Sequence, residues 1–373
     1  CMFQKICEIL CQNNISQNGL FKGRLNNCKY LSRNYKGLGS AGNKAKTDIE
    51  KIMDSMGLGN AGLRQTTYNN KLAHFFLTLA GVIKSPFSLK RGDTLLLQYP
   101  LKKYFTLVCR MAHMRGARVV VIIHDLGSFR RKALTPEKEI CRLNHADYII
   151  AHNDSMKQWL ESHGCRAMVG TLGIFDYLSD TQAAKNNSSE DTRTIVYAGA
   201  LSHRKNTFLY RWGEHISSFK VRLYGNGFEI GKAKGADKFE LMGFVKSDEL
   251  IATARGHFGL VWDGASEDGC TGDWGEYLKI NNPHKTSLYL RCSLPVIIWK
   301  QAALAPFVSK HGIGLCVDSL KELDTILPNI TQGQYACMKM NAERIGNLIA
   351  QGHFFRTAFE EAVRRLDEKD NEK

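Results

Sequence analysis

The sequence predicts an α/β protein made of two doubly wound halves, each built around a parallel sheet. Short apolar runs rich in β-branched residues, such as "RVVVIIHD" and "LPVIIW", alternate with segments of helical periodicity. The alternation stops in the polar segment 179–192 and then starts again. Because the apolar runs are nearly continuous, we expect strands buried on both faces, as in parallel sheets.

The first half contains six candidate strands with helical segments between them. In chain order they are "KYLSRNY", "GLRQTTY", "DTLLLQYP", "RVVVIIHD", "ADYIIAHN" and the weaker "RAMVGTLGI". Helical patterns cover 43–56 and 102–115. The segment "KLAHFFLTLAGVIKSPFSLK" is an amphipathic helix that we interpret as part of the core, with a membrane-docking face as the alternative.

The second half repeats the pattern with six more strands. They are "RTIVYAGAL", "FKVRLYGNG", "KFELMGFV", "HFGLVWDG", "LPVIIW" and "GIGLCVD". A short helix, "TSLYLRCS", precedes "LPVIIW", and the region 336–368 is predicted to be helical.

These patterns define the expected domain organisation. A first Rossmann-like domain spans 28–185, and a second spans 193–347. Residues 348–373 are predicted as a C-terminal helix that packs back toward the first domain, whereas 1–27 carry no interpretable pattern. A chain of 373 residues suits two such domains. Ligands of doubly wound sheets bind beyond the carboxyl ends of the strands, so we expect the site in the cleft between the halves.

The composition indicates which kinds of partner and which cellular compartment to expect. A net charge of +15 favours anionic partners such as nucleic acid, lipid headgroups or phosphorylated ligands. The sequence has no RNA-binding signature, paired CxxC spacing or aromatic platform, so we expect no nucleic-acid partner. Eleven scattered cysteines indicate reduced thiols, and no apolar run reaches the ~20 residues that span a bilayer. We therefore expect a cytoplasmic protein, with peripheral contact at the inner face of the membrane left open.

The segment "NNPHKTS" combines a helix start with a cation and hydroxyls. Pro283 suits the first turn of a helix, where its missing N–H costs nothing. His284, Lys285, Thr286 and Ser287 then surround a helix N-terminus, whose free N–H groups attract anions. A phosphate site and an ordinary capped helix with a solvated lysine both remain open from this segment alone.

Polar residues at strand ends supply the first-half candidates. His124 and Asp125 end the strand "VVVIIHD" and are able to move protons, although strand-end packing is the alternative. His152 and Asn153 end "IIAHN" in the same way. Ser40 lies in the Gly-rich loop "KGLGSAGNKAKTD", which resembles a phosphate-approach loop but is equally compatible with a surface turn.

In the second half, two strand ends carry candidate ligand-binding groups. "VYAGAL" runs into Ser202, His203, Arg204 and Lys205, and consecutive cations after a buried strand favour phosphate binding. Tyr224 and Gly225 end "VRLYGNG", where a tyrosine borders or stacks on a base and glycine lets a ligand approach the backbone. A tight Asn-Gly turn is the alternative there.

An acidic group is contained in the run "GLVWDGASEDGCTGDWGEY". It could hold a divalent metal, but its spacing is irregular, and we favour a polar loop at the cleft. Its members are Asp263, Glu267, Asp268, Asp273 and Glu276.

These second-half segments together resemble a known family. The run from "GLVWDG" through "NNPHKTSLYLRCSLPVIIW" to "GIGLCVDSLKEL", with "VYAGALSHRKN", "LYGNG" and "VIIHDLGSFR", is similar to bacterial galactofuranosyltransferases and related sugar transferases of the GT-B fold. The resemblance covers most of 28–360. It implies two Rossmann-like domains facing across a cleft, the first on the acceptor side and the second binding a nucleotide sugar.

The resemblance also implies a reaction. A sugar would move from a nucleotide diphosphate sugar, usually UDP-linked, such as UDP-galactofuranose or UDP-glucose, to a glycan acceptor on a lipid carrier or a protein. Arg204 and Lys285 would meet the diphosphate, and Tyr224 and Gly225 would lie near the uridine. Ser40 would close over the donor. The residues that would line the pyrophosphate and sugar are Asn282, His284, Thr286 and Ser287.

One departure from the wider fold family bears on the mechanism. Many retaining GT-B enzymes carry a Glu-x7-Glu pattern whose second Glu falls about where Leu288 stands here. Asp268 and Glu276 have the right separation but lie too early. We therefore expect an inverting enzyme with a base in the first domain, His124 or Asp125, and with neither a metal nor a cofactor.

Two other functions remain open from the sequence. A nucleotide-sugar epimerase or hydrolase shares this architecture, and a non-enzymatic anion-binding or nucleic-acid-binding protein would use the positive charge instead. The sequence also leaves open whether the chain forms a homo-oligomer.

Overall fold

The computed structural model describes residues 25–35, 41–129, 133–184 and 193–372. Within these ranges twelve strands form two six-stranded sheets, in which every neighbouring pair is parallel. The first sheet has the order β2-β1-β3-β4-β5-β6. Its strands are β1 (Cys28–Tyr30), β2 (Gly59–Asn60), β3 (Thr94–Tyr99), β4 (Arg118–Ile123), β5 (Tyr148–Ala151) and β6 (Met168–Thr171).

The second sheet has the order β12-β11-β10-β7-β8-β9. Both strand orders reverse next to the strand that opens each half, which is the arrangement of a doubly wound sheet. The strands of this sheet are β7 (Arg193–Ala198), β8 (Phe219–Tyr224), β9 (Phe239–Gly243), β10 (Phe258–Val261), β11 (Val296–Trp299) and β12 (Gly314–Val317).

Helices connect the strands. In the first half they are α1 (Ala41–Ser55), α2 (Lys71–Ser88), α3 (Phe105–Met114), α4 (Pro136–Leu143) and α5 (Asp154–Ser162). In the second half they are α6 (Leu209–Trp212), α7 (Ser247–Thr253), α8 (Gly272–Leu278), α9 (His284–Arg291), α10 (Ala305–His311), α11 (Leu323–Asn329), α12 (Gln332–Ala350) and α13 (His353–Asn371). The predicted α/β class with two parallel sheets is therefore confirmed.

The predicted strand "GLRQTTY" is wrong. The second strand of the chain is the two-residue β2 just before it, and Thr66 forms only an isolated bridge with Asn34. The Asn34 side chain donates to Tyr68 O over 2.8 Å and accepts from Tyr68 N over 2.8 Å. A buried amide thus satisfies backbone groups that a strand neighbour would otherwise satisfy.

Both faces of the first sheet are covered. Leu95 and Leu97 belong to one buried cluster, whereas Leu96 belongs to another on the opposite face, as the alternation of side chains along a strand requires. Phe355 and Phe359 of α13 lie in the second cluster, so this C-terminal helix packs against the first sheet. The domain boundaries at 185, 193 and 347 remain predictions.

The amphipathic helix α2 differs from our core interpretation. Its buried face is formed by small or polar residues, while its large apolar residues are exposed. The buried residues are Thr78, Gly81, Val82 and Ser85, and the exposed ones include Leu72, Phe76, Ile83 and Phe87. The interpretation as core was therefore wrong for the apolar face. Across the described ranges no helix, α2 included, is long and apolar enough to cross a bilayer.

Candidate active site between the two sheets

A buried cluster of charges lies where β7 and β10 end and α9 begins. Lys285 Nζ lies 3.0 Å from Asp263 Oδ1, and Lys205 Nζ lies 3.4 Å from the same oxygen. Both strands point their carboxyl ends at this place, because they are neighbours in a parallel sheet. Two cations against one carboxylate leave a net positive charge at the edge of the second sheet, which suits an anionic ligand.

A tyrosine and an asparagine complete this cluster. Tyr197 Oη, at the end of β7, lies 2.8 Å from Asn206 Oδ1 and 3.2 Å from Asp263 Oδ1. Lys285 Nζ donates to Tyr197 Oη over 3.1 Å and lies 4.4 Å from the centre of the tyrosine ring. Lys285 is therefore held on two sides, which fixes its ammonium group beyond the strand ends.

Burial and charge shift the pKa of both partners. Burial works to raise the pKa of the Asp263 carboxyl, but Lys285 and Lys205 outweigh it and hold that pKa below the ordinary value. For Lys285, burial dominates and lowers its pKa to about 8, with Asp263 opposing and Lys205 reinforcing the shift. Lys285 is thus mostly protonated at pH 7, and it loses its proton as the pH rises through about 8.

Asn282 joins the second half to the first. Its side-chain amide donates to His152 O over 2.8 Å and to Gly173 O over 2.9 Å, and its oxygen accepts from Asn153 Nδ2 over 2.7 Å. Its backbone N–H donates to His152 Nδ1 over 3.1 Å. Asn282 therefore uses both side-chain donors inside the protein, and its observed role is to position the start of α9.

The first turn of α9 faces the first half as well. Ser287 Oγ donates to Phe175 O over 2.6 Å. Thr286 is fully buried, and its hydroxyl has no partner among the described residues. Both ring nitrogens of His284 are likewise shielded and without a partner in the part of the chain that the structure describes. Burial first, and then the charge of Lys44, lower the pKa of His284 to about 3.

Three histidines surround the ring of Phe175. His124 stacks on it with ring centres 5.6 Å apart, His284 lies 5.1 Å away and His152 meets its edge at 4.8 Å. His124 comes from the first sheet and His284 from α9. The fold therefore brings together two residues that the sequence placed at separate strand and helix ends.

Both ring nitrogens of His152 are hydrogen-bonded, so neither is available to transfer a proton. Its Nε2–H donates to Ile123 O over 3.0 Å, and its Nδ1 accepts from the N–H of Asn282. Burial lowers the pKa of His152 to about 4, so the ring is neutral at pH 7. This histidine connects β4, β5 and α9.

His124 is different, because a chain of hydrogen bonds fixes its tautomer. Gln98 Nε2 donates to Lys46 O over 3.2 Å and to Tyr35 Oη over 3.0 Å, so Gln98 Oε1 must be the atom 2.6 Å from His124 Nε2. Nε2 therefore carries the proton. Tyr35 Oη in turn donates over 2.6 Å to Glu50, which holds the far end of the chain.

The other ring nitrogen of His124, Nδ1, consequently carries no proton and has a free lone pair. Nδ1 is shielded from solvent and has no partner among the described residues. Burial above all, and then the positive charge of Lys46, lower the pKa of His124 well below the ordinary value. A neutral imidazole of fixed tautomer with an unused Nδ1 can accept a proton, but its lowered pKa makes it a weaker base than a solvated histidine.

Asp125 follows His124 in the loop after β4. Its neighbour Leu126 donates its N–H to Tyr277 Oη of α8 over 3.1 Å, so this loop is attached to the second half. Asp125 is half-buried.

The other residues predicted to bind the donor differ in their exposure to solvent. Arg204 is exposed, whereas the adjacent Lys205 contacts Asp263 and lies 5.1 Å from the Trp274 ring. Tyr224 is buried in the core of the second sheet, and burial raises its pKa. Ser40 lies outside the described residues.

Gly225 has a structural requirement of its own. Its φ is +147°, and a Cβ at this position would lie 1.9 Å from the carbonyl oxygen of Gly199. The close approach of the chain ends after β7 and β8 therefore requires glycine here.

The acidic loop is distributed among several ion pairs, in which Glu267 and Asp268 share Lys321. Glu267 lies 2.9 Å from His215, Asp268 lies 3.1 Å from Lys321, and Glu276 lies 2.9 Å from Lys279. Within the described ranges no group of three or more His, Cys, Asp or Glu side chains is arranged to hold a metal ion. At the position of the missing second Glu, Leu288 packs against the core of the second sheet.

Sequence reasoning missed or misassigned several residues of this site. Lys205 was named with Arg204 as a phosphate-binding candidate, but only Arg204 was assigned to the diphosphate, because nothing local shows which of the two cations turns inward. Tyr197 sits inside an apolar strand and resembles a core residue. Gln98 is the amide side chain within "TLLLQY", and a buried amide in a parallel strand is the signal that could have identified it.

The two six-stranded parallel sheets, joined at the start of α9, have the architecture of the GT-B fold. The structure of HepE from Anabaena in complex with UDP superposes with a TM-score of 0.56, covering 93% of this chain and 100% of HepE at 12% identity. At that identity the likeness establishes the fold alone.

Sequence similarity identifies the family. The glucosyltransferase 3-like family matches with its N-terminal domain over residues 28–174 and with its C-terminal domain over 195–362. The β-1,6-galactofuranosyltransferase WbbI of Escherichia coli K12 is 34% identical over 276 residues, covering 74% of this chain and 80% of WbbI. Glucosyltransferase 3 of Streptococcus gordonii is 22% identical over 328 residues, covering 86% of this chain and 93% of that protein. The chain therefore belongs to the glucosyltransferase 3-like family and is an enzyme of nucleotide-sugar-dependent glycosyl transfer.

Proposed function

We propose that this enzyme transfers a hexose from a UDP-linked sugar to a glycan acceptor of a surface polysaccharide or glycoprotein, with inversion at the anomeric carbon. The observation that supports this most directly is the buried Lys285–Asp263–Lys205 cluster at the start of α9. HepE, of the same fold, has been solved with UDP bound, and WbbI is named for galactofuranosyl transfer. UDP-galactofuranose and UDP-glucose are accordingly the donors to test first.

In the proposed mechanism the cations act on the leaving group. The bond between the anomeric carbon and the β-phosphate oxygen breaks, its electron pair stays with UDP, and negative charge grows on the diphosphate. Lys285 and Lys205 stabilise that charge, while the N-terminal N–H groups of α9 face the same region. Because Asp263 already orients both lysines, little reorganisation is needed when the charge develops.

The first domain supplies the base. The acceptor hydroxyl attacks the anomeric carbon from the face opposite UDP and transfers its proton to His124 Nδ1 or to Asp125. His124 is favoured because its Nε2–H is committed to Gln98 and its Nδ1 is unused. Nδ1 is covered here, so the acceptor hydroxyl has to reach it by displacing the covering atoms.

The remaining donor residues would contact the sugar and the nucleotide. His284, with both ring nitrogens unused, lies between Phe175 and Tyr177 and would bond a sugar hydroxyl. The unused Thr286 hydroxyl provides a second polar contact. Arg204, exposed on the loop after β7, would reach the diphosphate only on donor binding. Ser40 and Tyr224 remain part of the proposed donor site. Tyr224 would act there from within the core of the second sheet.

The test is calorimetric titration of UDP. Lys285→Ala and Lys205→Ala each remove a charged hydrogen bond, so UDP affinity should fall by about 10- to 100-fold. Lys300→Ala is the matched control, because Lys300 also follows a strand of the second sheet but pairs with Asp318 away from the cluster. Equal UDP affinity in all three variants and the wild type would refute the donor site. The UDP affinity of Arg204→Ala then decides whether Arg204 contacts the diphosphate.

A further inference from the structure

The outer face of α2 is apolar. Leu72, Phe76, Ile83 and Phe87 are exposed by 69%, 62%, 55% and 80%. Their spacing of four, seven and four residues places them on one side of an α-helix. The buried side of the same helix carries Thr78, Gly81, Val82 and Ser85. In α2 the apolar face is therefore exposed, whereas an amphipathic helix usually buries it. A contiguous exposed apolar stripe of this kind marks an interaction surface.

Cations border this stripe. Lys71 and Lys84 lie on α2 itself, and Lys103 Nζ lies 4.7 Å from the centre of the Phe75 ring. Arg110 is exposed on α3, which packs against α2. Among the described residues none of these four cations has an ion-pair partner.

The surrounding sequence lacks acidic residues. From residue 55 to residue 124 the only carboxylate is Asp93, which is buried and paired with Lys29 at 2.8 Å. The same segment contains ten lysines and arginines. The charge of +15 is therefore concentrated partly here, beside exposed apolar side chains.

We propose that the α2 surface, formed by Leu72, Phe76, Ile83 and Phe87 with Lys71, Lys84, Lys103 and Arg110, docks on an anionic lipid bilayer. The helix lies in the membrane plane, its apolar side chains enter the headgroup boundary, and the cations meet anionic headgroups. A second copy of this chain is the less suitable occupant, since a symmetric contact would bring like charges together.

The surface lies on the acceptor side of the cleft. Asn34, just beyond the carboxyl end of β1, holds Tyr68 immediately before α2, so the helix begins at the edge of the sheet where the site lies. A bilayer on α2 would bring a lipid-linked glycan to the first domain. The inference rests on the proposed function only for this acceptor, because docking itself requires no catalysis.

Sedimentation with lipid vesicles tests the docking. The purified chain should sediment with phosphatidylcholine vesicles that contain phosphatidylglycerol, and much less with phosphatidylcholine alone. Phe76→Glu and Phe87→Glu should each lower the partition coefficient by about tenfold or more, because a carboxylate replaces a membrane-inserting ring. Lys71→Gln and Lys84→Gln should each lower it by about fivefold.

Phe244→Glu is the matched control. Phe244 follows the edge strand β9 and is 62% exposed, the same as Phe76, but it lies outside the basic segment. Its substitution should leave vesicle binding unchanged. Thermal unfolding of each variant verifies that the substitutions act at the surface.

Two outcomes would overturn the proposal. The first is that the wild type does not sediment with anionic vesicles, or that Phe76→Glu and Phe244→Glu bind them equally. The second is that light scattering shows a dimer which Phe76→Glu dissociates, since the surface would then belong to a second copy. UDP titration of the same samples tests the donor site separately, so the two proposals fail independently.

Discussion

His152 and Asn282 join the two halves of the enzyme through two hydrogen bonds. Asn282 N–H donates to His152 Nδ1 over 3.1 Å, and its side-chain amide donates to His152 O over 2.8 Å. His152 Nε2 donates in turn to Ile123 O, the residue before His124. One continuous set of bonds therefore connects the proposed base with the start of α9, where Lys285 stands.

We predict that this bridge matters for stability. Asn282→Ala removes the side-chain donor of Gly173 O, whereas His152 O keeps the N–H of Gly173 as a second donor. Because an unsatisfied buried group costs about 1–3 kcal/mol, the free energy of unfolding, measured with urea, should fall by about that amount. Asn281→Ala is the control, because no described residue bonds its buried Oδ1. A loss of similar size in both variants would contradict the role of the bridge.

Donor binding should depend on pH through Lys285. Free Lys285 loses its proton near pH 8, whereas a bound diphosphate raises its pKa again. Above about pH 8, UDP binding must therefore take up a proton, and affinity should fall by at most about tenfold per pH unit. Calorimetry in two buffers of different ionisation enthalpy measures that uptake. Lys285→Gln should bind more weakly and lose the pH dependence; an unchanged profile in this variant would assign the proton elsewhere.

The two candidate bases are separable by substitution. If His124 is the base, His124→Ala should lower kcat by about 100-fold or more while UDP affinity stays the same. Asp125→Asn should do so if Asp125 is the base. His163→Ala, which removes an exposed histidine of the same half, serves as the control. A parallel loss of stability and donor binding would indicate that the pair only shapes the loop, and normal turnover in both variants would exclude them as bases.

Gln98 should act by holding His124 in one tautomer. Gln98→Leu removes the acceptor of the His124 Nε2–H, so Nδ1 would share the proton and kcat should fall by about tenfold or more. Nitrogen NMR of the histidine side chains should show the Nε2–H form in the wild type and a mixture in the variant. Tyr104→Phe removes a buried hydroxyl that has no partner in the described ranges and serves as the control. An Nδ1–H form of His124 in the wild type would rule out this arrangement.

Transfer should proceed without a divalent metal. The Lys285–Lys205 pair supplies positive charge at the proposed diphosphate site, while Glu267, Asp268 and Glu276 are each paired with a nearby side chain. Full activity is expected after dialysis against EDTA. Activity that disappears and returns with Mn²⁺ or Mg²⁺ would mean that these carboxylates rearrange around a metal when the donor binds.

The sequence by itself determined the two parallel sheets, because strand formation here depends on local apolar runs that must be buried on both faces. It also placed His124, Asn282 and Lys285 at the cleft, since the carboxyl ends of parallel strands share one edge of a sheet. The strand predicted at "GLRQTTY" was wrong because long-range side-chain bonds from Asn34, rather than strand pairing, hold that segment.

Only the tertiary structure decided which side chains turn inward at that edge. Arg204 and Lys205 are adjacent and equally basic, yet Lys205 alone of the two contacts Asp263, because the direction of a loop side chain is set by what packs around it. The tautomer of His124 likewise depends on Gln98 from a different strand. The outward direction of Phe76 and Phe87 has the same origin: periodicity identifies the two faces of α2, but the neighbouring elements determine which face is buried.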